Sequence, residues 1–356
     1  MIAPDSFKGT ASAEAAAAAI ARGWASVRPD DELVQLPMAD GGEGTLDAFA
    51  ASVPGAVRMP RTVLGPGGDA VEAEWLLLPD GTAVVELALA SGLTLMPALQ
   101  AFDAHTYGFG ELIAAALEGG AQRLLLAIGG SSSTDGGAGA LVALGAQLVD
   151  GIGTPVALGN GGLASLARAD LSSAIPAPES ALVLCDVDNP LLGPTGAAAV
   201  FGPQKGAAPD DIPLLDANLA RFAEVLGGAP GMPGAGAAGG TAFGLATWGA
   251  RLVSGAEAVA QRSGLAAALE GADLVIVGEG RFDEQSAGGK IPHYIAELAA
   301  VAGVDAALVA GIIEAPTAQF AHAVSLVELA GDAGRARADA VHWLEAAGAA
   351  LATRRA

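Results

Sequence analysis

Short apolar runs alternate with alanine-rich helical patterns along much of the chain. Each run is followed by a small or polar turn, and the helical pattern begins after that turn. This alternation is typical of βα units, in which buried parallel strands read as continuous apolar stretches. The pattern therefore predicts an α/β protein with a mainly parallel sheet.

The expected elements can be placed along the chain. They are the N-terminal segment IAPDS with a helix over Ser12–Trp24, Leu33–Pro37 with a helix after Gly44, Leu124–Ile128 with a helix after Gly136, Leu274–Val277 with a helix near Pro292–Ala302, and strands at Ala307–Ala310 and Val324–Leu329. Each strand but the last two is followed by a helix, as βα units require.

The pattern changes in the middle of the chain. Two strand-like runs flank Pro79-Asp80-Gly81, whose turn chemistry favours a β-hairpin. Residues 150–270 are rich in glycine and proline and less regular. A chain of 356 residues also exceeds the size of most single cores. We therefore expect a doubly wound domain formed by residues 1–60 and 270–356, with a second α/β domain, residues 61–269, inserted into it.

The net charge of −22 disfavours some partners, because so acidic a chain repels phosphate backbones and anionic lipid surfaces. The long uncharged stretch Val225–Ala250 is broken by Pro230 and Pro233 and does not read as a membrane span. A single cysteine, Cys185, and an N-terminus without a leader pattern favour a reducing, cytoplasmic setting. We expect neither nucleic acid nor membrane as a partner.

The generic phosphate-binding motifs do not fit. Gly234–Gly239 satisfies G-x-G-x-x-G, but prolines stand where the preceding strand should be. The Gly288-Gly289-Lys290 segment lacks the first glycine and the hydroxyl residue of a P-loop. The four histidines show no metal-ligand spacing.

Five glycine-rich loops carry charged or hydroxyl side chains directly after apolar runs. Loops at the carboxyl edge of a parallel sheet are where α/β proteins bind ligands. The side chains they offer are Asp5, Ser6 and Lys8; Asp40 and Glu43; Ser131, Ser132, Ser133, Thr134 and Asp135; Asp186 and Asp188; and Glu279, Arg281, Asp283 and Lys290. Lys205 stands beside another glycine, Gly206.

Each loop also has a simpler explanation. Ser6 or Asp40 could cap a helix, Asp188 could close a turn, and the serine run could be a flexible linker. The mixture of both charge signs in the loop from Glu279 to Lys290 favours a charged ligand instead. Phosphoryl transfer needs such a mixture, since cations neutralise phosphate oxygens while carboxylates hold Mg²⁺ and orient the attacking hydroxyl.

Seven ordered segments resemble the type I glycerate kinases of bacteria. They are APDSFKGT, MADGGEGT, GGSSSTDGGAG, CDVDNPLLGPTGAA, FGPQKGA, GAGAAGG and GEGRFDEQSAGGKIP, and they span residues 1 to about 311. The resemblance implies an ATP-dependent kinase of D-glycerate, with 2-phosphoglycerate favoured over the 3-phospho product. It also implies a flavodoxin-like domain with a second α/β domain inserted into it, and an active site between them.

The resemblance carries over to matching positions of this chain. We assign Lys8, Asp188, Arg281, Asp283 and Lys290 to catalysis, with Asp188 and Asp283 also as Mg²⁺ ligands. The residues assigned to substrate or nucleotide binding are Asp5, Ser6, Asp40, Glu43, Ser131, Ser132, Ser133, Thr134, Asp135, Lys205 and Glu279.

Two other functions stay open at this point. The enzyme could phosphorylate another short hydroxy acid, because the loops define phosphate chemistry better than the acceptor. A non-catalytic sensor of a phosphorylated acid is the less favoured alternative, since it would leave several acidic loops unexplained. Small-molecule substrates are the expected partners, and a homodimer is compatible with the sequence.

Overall fold

The computed structural model describes residues 1–284 and 291–355. Its contacts divide the described chain into two compact units. The first unit comprises the described residues of Met1–Asp40, Asp47–Pro54 and Ala256–Ala356, and the second comprises Gly41–Leu46 and Gly55–Gly255. Each unit has its own apolar core.

The strands and helices are numbered in chain order. The strands are β1 Ile2–Pro4, β2 Val57–Leu64, β3 Ala70–Leu77, β4 Thr82–Glu86, β5 Arg123–Ala127, β6 Gln147–Val149, β7 Arg168–Asp170, β8 Ser180–Leu184, β9 Arg251–Val253, β10 Leu274–Phe282, β11 Asp305–Ile313 and β12 His322–Ser325. The helices are α1 Ala13–Val27, α2 Thr45–Ser52, α3 Ala88–Ser91, α4 Tyr107–Glu118, α5 Ala138–Ala143, α6 Asn160–Leu163, α7 Ala197–Phe201, α8 Ile212–Leu226, α9 Thr241–Trp248, α10 Gly255–Arg262, α11 Leu265–Leu269, α12 Ile291–Ala302, α13 Leu326–Ala330, α14 Ala333–Ala338 and α15 Ala340–Arg354.

The first unit is built on a parallel sheet with the strand order β1-β10-β11-β12. Leu33–Pro37, predicted as a strand, is an extended segment beside β1: the Ile2 amide donates to the Val34 carbonyl and the Leu36 amide to the Ile2 carbonyl, both at 2.8 Å. With this segment as the second strand, the spatial order is 2-1-3-4-5. That is the flavodoxin-like order, so the predicted fold class is confirmed.

The order of the strands reverses beside β1. The chain passes from β1 to the Leu33–Pro37 segment on one side and later returns with β10 on the other, where Ile2 pairs with Ile276. In open α/β sheets such a reversal leaves a crevice at the carboxyl ends of the two central strands. Here these ends are Pro4 of β1 and the last residues of β10.

Helices α1 and α15 cross closely in the first unit. A Cβ atom on Gly23 would lie 1.8 Å from the Glu345 carbonyl oxygen, and one on Gly348 would lie 2.2 Å from that of Ile20. Ser12 caps α1 by accepting a hydrogen bond from the Ala15 amide at 3.1 Å. The buried face of α1 includes Ile20 and Trp24, which join the core of this unit.

The second unit contains a mixed sheet with the order β2-β3-β4-β5-β8-β9 and a two-stranded sheet of β6 and β7. Strands β3 and β4 are antiparallel and are joined through Asp80 and Gly81, which confirms the predicted hairpin. Strands β4, β5, β8 and β9 run parallel.

The prediction of one strand over Val324–Leu329 is wrong at its second half. β12 ends at Ser325, and Leu326 begins α13. The Ser325 hydroxyl accepts a hydrogen bond from the Glu328 amide at 3.5 Å. This N-cap interaction stabilises the first turn of a helix in an apolar run that would also suit a strand.

Candidate functional site

A cavity of about 310 Å³ lies at the carboxyl edge of the first unit's sheet. It opens at the crevice between β1 and β10, where the strand order reverses. Six of the predicted charged residues line it, together with Ser6: Asp5, Lys8, Asp40, Glu279, Arg281 and Asp283. The cavity thus combines carboxylates with an ammonium and a guanidinium.

Asp5 lies directly after β1, where its amide donates to the Gly278 carbonyl at 2.8 Å. Its side chain is 7% exposed and accepts a hydrogen bond from the Ser6 amide at 2.6 Å. Burial raises the pKa of the Asp5 carboxyl well above its ordinary value, and the Asp40 carboxylate acts in the same direction. The Ser6 amide and Lys8 oppose this shift without cancelling it.

Lys8 lies in a tight loop between β1 and α1. Phe7 is buried, its amide donates to the Ala11 carbonyl at 2.8 Å, and the Thr10 hydroxyl donates to the Phe7 carbonyl at 2.7 Å. Gly9 supplies the positive φ of 76° that the turn requires. The Lys8 ammonium is 3.8 Å from the Asp40 carboxylate, and its side chain is 61% exposed. It is therefore open to an anionic ligand.

The end of β10 supplies three charged residues to the cavity. Alternate residues of a strand point to the same face, so Glu279 and Arg281 share one side and Asp283 continues the series. Phe282 points the other way and is buried, with its ring 5.6 Å from that of Phe320. Arg281 lies 3.6 Å from the Glu314 carboxylate, and both side chains are largely exposed.

Replacing Asp5 by Asn should increase the free energy of unfolding at neutral pH. The raised pKa means that the folded chain holds the Asp5 proton more tightly than the unfolded chain. The stability that the protonated Asp5 side chain contributes is fully present below 3.8, the pKa in the unfolded chain, and is lost as the pH rises through the higher pKa of the folded chain. Asn keeps the shape and the acceptor for the Ser6 amide without the buried charge.

Urea unfolding from pH 4 to 8 measures this effect. Asp170→Asn is the control of opposite sign, because hydrogen bonds from Ser172 lower the pKa of this exposed carboxyl. The raised pKa of Asp5 would be contradicted if Asp5→Asn were less stable than wild type at neutral pH and this difference in the free energy of unfolding grew from pH 4 to pH 7.

The predicted serine loop lies in the second unit and is buried. Ser131, Ser132, Ser133, Thr134 and Asp135 are all at most 4% exposed. The Ser132 hydroxyl donates to the Ser91 carbonyl at 2.9 Å, and the Ser131 hydroxyl to the Ala238 carbonyl at 3.3 Å. Most of these hydroxyls therefore hydrogen-bond to the protein's own groups.

Asp135 is the centre of this buried network. Its carboxylate accepts from the Thr106 amide at 2.9 Å and the Thr106 hydroxyl at 2.8 Å. It also accepts from the Ser133 hydroxyl at 3.2 Å, and from the amides of Gly137 and Gly139 at 3.0 and 3.1 Å. Five donors thus satisfy one fully buried carboxylate.

Lys205 lies in the short turn that follows α7 and is 1% exposed. Its ammonium donates to the Ser133 carbonyl. Burial lowers the pKa of Lys205 to about 7, although the nearby Asp135 carboxylate acts in the opposite direction. The side-chain amide of Asn160 donates a hydrogen bond to the next carbonyl of the loop, that of Thr134, at 2.9 Å.

The glycine run from Gly234 to Gly240 packs against the serine loop. The Gly136 amide donates to the Gly239 carbonyl at 3.0 Å, and a Cβ atom on Gly239 would lie 2.0 Å from the Ser133 carbonyl oxygen. Ala238, in the same run, has a positive φ of 53°. The glycines here allow close backbone contact, which gives this segment a role without a dinucleotide.

Other predicted site residues belong to the second unit. Glu43 belongs to the second unit and packs beside Gly130, where a Cβ atom would come within 3.0 Å of Cγ of Glu43. Asp188 is exposed in the second unit, whereas Asp283 is in the first, so neither unit alone brings these two carboxylates together. Lys290 lies outside the described residues.

Two residues near these loops were not found from the sequence. Glu86 is 2% exposed and accepts from the amides of Gly44 and Leu46 at 3.0 and 2.9 Å, which fixes the loop that carries Glu43. Arg337, on α14, lines the cavity of the first unit. No motif marks either residue, because Glu86 ends an ordinary strand and Arg337 stands in an alanine-rich helix.

Two features are absent from the described part of the chain. No three His, Cys, Asp or Glu side chains among residues 1–284 and 291–355 are grouped so as to hold a metal ion. In the same residues, no helix has the length and apolar character needed to cross a membrane.

Comparisons with known proteins agree on one family. The model of the glycerate kinase family matches residues 1–355. The chain is 44% identical to the glycerate kinase of Bacillus subtilis over 88% of its length and 85% of the relative, and 45% identical to the glycerate 2-kinase of Escherichia coli over 84% and 81%. A crystal structure of a candidate glycerate kinase 2 from Salmonella typhimurium LT2 superposes with a TM-score of 0.83 at 36% identity, covering 99% of this chain and 97% of that one.

Proposed function

We propose that this chain, which belongs to the glycerate kinase family, transfers a phosphoryl group from ATP to the C2 hydroxyl of D-glycerate. The products are 2-phosphoglycerate and ADP. A bond forms between the hydroxyl oxygen and the γ-phosphorus, and the bond from that phosphorus to the β–γ bridging oxygen breaks. The choice of C2 is supported by the relative from E. coli that is named a glycerate 2-kinase.

The observation that carries this proposal is the mixed charge of the first unit's cavity. Lys8 and Arg281 are exposed cations that can neutralise phosphate or carboxylate oxygens, and carboxylates surround them. Phosphoryl transfer is catalysed mainly by positioning and by electrostatic stabilisation of this kind. The hydroxyl proton leaves to a carboxylate of the same cavity.

Mg²⁺ fits the donors that these loops offer. The carboxylate oxygens of Asp283 and Asp188 are the hard ligands that this ion prefers, and one or two carboxylates with phosphate oxygens and water complete its usual shell in kinases. When bound, the ion neutralises charge on the β- and γ-phosphates. We propose Asp283 and Asp188 as its protein ligands.

The other candidate binding residues divide between the two units. Asp5, Ser6, Asp40 and Glu279 surround Lys8 and Arg281, so we propose that they orient the ligand in the first unit. Glu43, Lys205 and the loop from Ser131 to Asp135 belong to the second unit. Because most of this loop is buried and internally bonded, we propose that it contributes to ligand binding in the second unit mainly through its backbone.

We also propose that the protein works in a reducing, cytoplasmic setting. Its one cysteine, Cys185, is partly buried, and burial raises the pKa of the thiol, so little reactive thiolate forms. Fractionation of the native cell with an antibody against the chain tests this directly. Recovery outside the cytoplasmic fraction would contradict it.

The proposed substrate is tested by ADP release with purified protein, ATP and Mg²⁺. D-glycerate, L-glycerate, glycolate and tartronate are compared at equal concentrations. We expect D-glycerate to give the highest kcat/KM. A higher value for another of these acids would identify a different hydroxy-acid kinase, and ligand binding without turnover of any acid would favour the sensor.

A further inference from the structure

The cavity of the first unit has a polar half and an apolar half. Most of its charged residues follow β1 and β10, on one side of the sheet, and Arg337 on α14 is the exception on the other side. Its apolar residues come from the other side, from Ile312 near the end of β11 and from the helices after β12. Three interstrand spacings separate β1 from β12, which is about 14 Å.

The apolar half is formed by small and aliphatic side chains. Leu326 and Val327 begin α13, Ala336 lies on α14, and Ala340 begins α15. Leu326, Ala336 and Ala340 are at most 6% exposed, so they form a firm wall. Between the halves, Gly280 and Gly311 line the floor.

At Gly311 the floor has no room for a larger residue. A Cβ atom on Gly311 would lie 2.3 Å from the Gly280 carbonyl oxygen. Glycine at this position lets the ends of β10 and β11 lie close together at the cavity. The cavity volume of about 310 Å³ is within the range of small-molecule sites.

The two halves do not suit glycerate alone. Every carbon of that acid carries oxygen, so it has no apolar part to match a wall of Leu, Val and Ala. A nucleotide has both an apolar, flat base and a chain of anionic phosphates. Arg337, on the same helix as Ala336, adds a cation to the lining beside the wall.

We infer that this cavity is the adenine-nucleotide site, with the base against the wall of Leu326, Val327 and Ala336 and the phosphates toward Lys8 and Arg281. Arg337 contacts the nucleotide between these ends. This assignment rests on the proposed kinase function, and it places nucleotide recognition in the first unit.

Binding of Mg·ADP to the full chain, measured by calorimetry without any acid present, tests the inference. Ala336→Trp fills the apolar half and should weaken Mg·ADP at least tenfold while the KM for D-glycerate changes little. Ala338→Trp is the matched control, because Ala338 is exposed on the same helix and does not line the cavity. Tripolyphosphate, which has no base, should bind both variants alike.

A second pair of variants tests the same inference in case Ala336→Trp does not fold. Arg337 is exposed, so Arg337→Met should fold normally and weaken Mg·ADP severalfold, whereas Arg335→Met, on the same helix but outside the cavity, should not. The inference is overturned if wild type does not bind Mg·ADP, if neither Ala336→Trp nor Arg337→Met weakens it, or if these changes raise only the KM for D-glycerate.

The outcomes also separate this inference from the proposed function. If wild type phosphorylates D-glycerate but both cavity variants bind Mg·ADP as tightly as wild type, the kinase function is supported and the nucleotide site is contradicted. If Ala336→Trp weakens Mg·ADP binding but the protein phosphorylates none of the acids, the nucleotide site is supported and the proposed substrate is contradicted.

Discussion

Replacing Arg281 by Met should lower kcat about 10²–10³-fold and leave the free energy of unfolding nearly unchanged. Arg281 lines the cavity and is 3.6 Å from Glu314, with side-chain exposures of 59% and 43%. Ion pairs this exposed contribute little to stability, so the loss of activity would report lost stabilisation of phosphate charge. Steady-state kinetics and urea unfolding of the same preparation give both quantities.

Arg22→Met is the matched control for this change. Arg22 also pairs with a glutamate, Glu345, at 3.0 Å, and the two side chains are 53% and 48% exposed. It lies on α1 and does not line the cavity. Equal effects of the two substitutions on kcat would show that the charge of Arg281 has no special part in phosphoryl transfer.

Replacing Asp135 by Ala should destabilise the protein by about 3–5 kcal/mol, because it leaves buried polar partners without their acceptor. The carboxylate accepts five hydrogen bonds from Thr106, Ser133, Gly137 and Gly139. It also supplies the negative charge that favours the protonated form of buried Lys205. Urea or thermal unfolding measures the loss.

Asp150→Ala controls for the loss of a turn carboxylate. Asp150 accepts from the amides of Ile152 and Thr154 at 3.0 and 2.8 Å, in an exposed turn where water can replace it. Its loss should cost about 1 kcal/mol or less. If Asp135→Ala costs no more than Asp150→Ala, the network around the serine loop is not the buried, coupled unit described above.

The elements found from the sequence are those in which periodicity and turn chemistry agree. β10 is a continuous apolar run, and the hairpin of β3 and β4 turns at Asp80-Gly81, so both were predictable. The apolar run at Val324–Leu329 suits a strand and a helix equally. Ser325 decides between them through its hydrogen bond with Glu328, three residues later, a spacing that signals a helix start.

The candidate site was only partly predictable for a physical reason. Sequence shows that hydroxyl and charged side chains follow a strand, but not whether they face a ligand or their own backbone. Lys8 and Arg281 face the cavity, whereas Ser132 and Asp135 are bonded inside the second unit. Arg337 was missed because its place in the cavity depends on how the helices after β12 pack.

Phosphorus NMR of the product formed from ATP and D-glycerate tests the central claim most directly. We predict one new phosphomonoester, coupled to the C2 proton and formed in equal amount to ADP. A product phosphorylated at C3, or ADP formed without a phosphorylated acid, would contradict the claim that this chain is a D-glycerate 2-kinase.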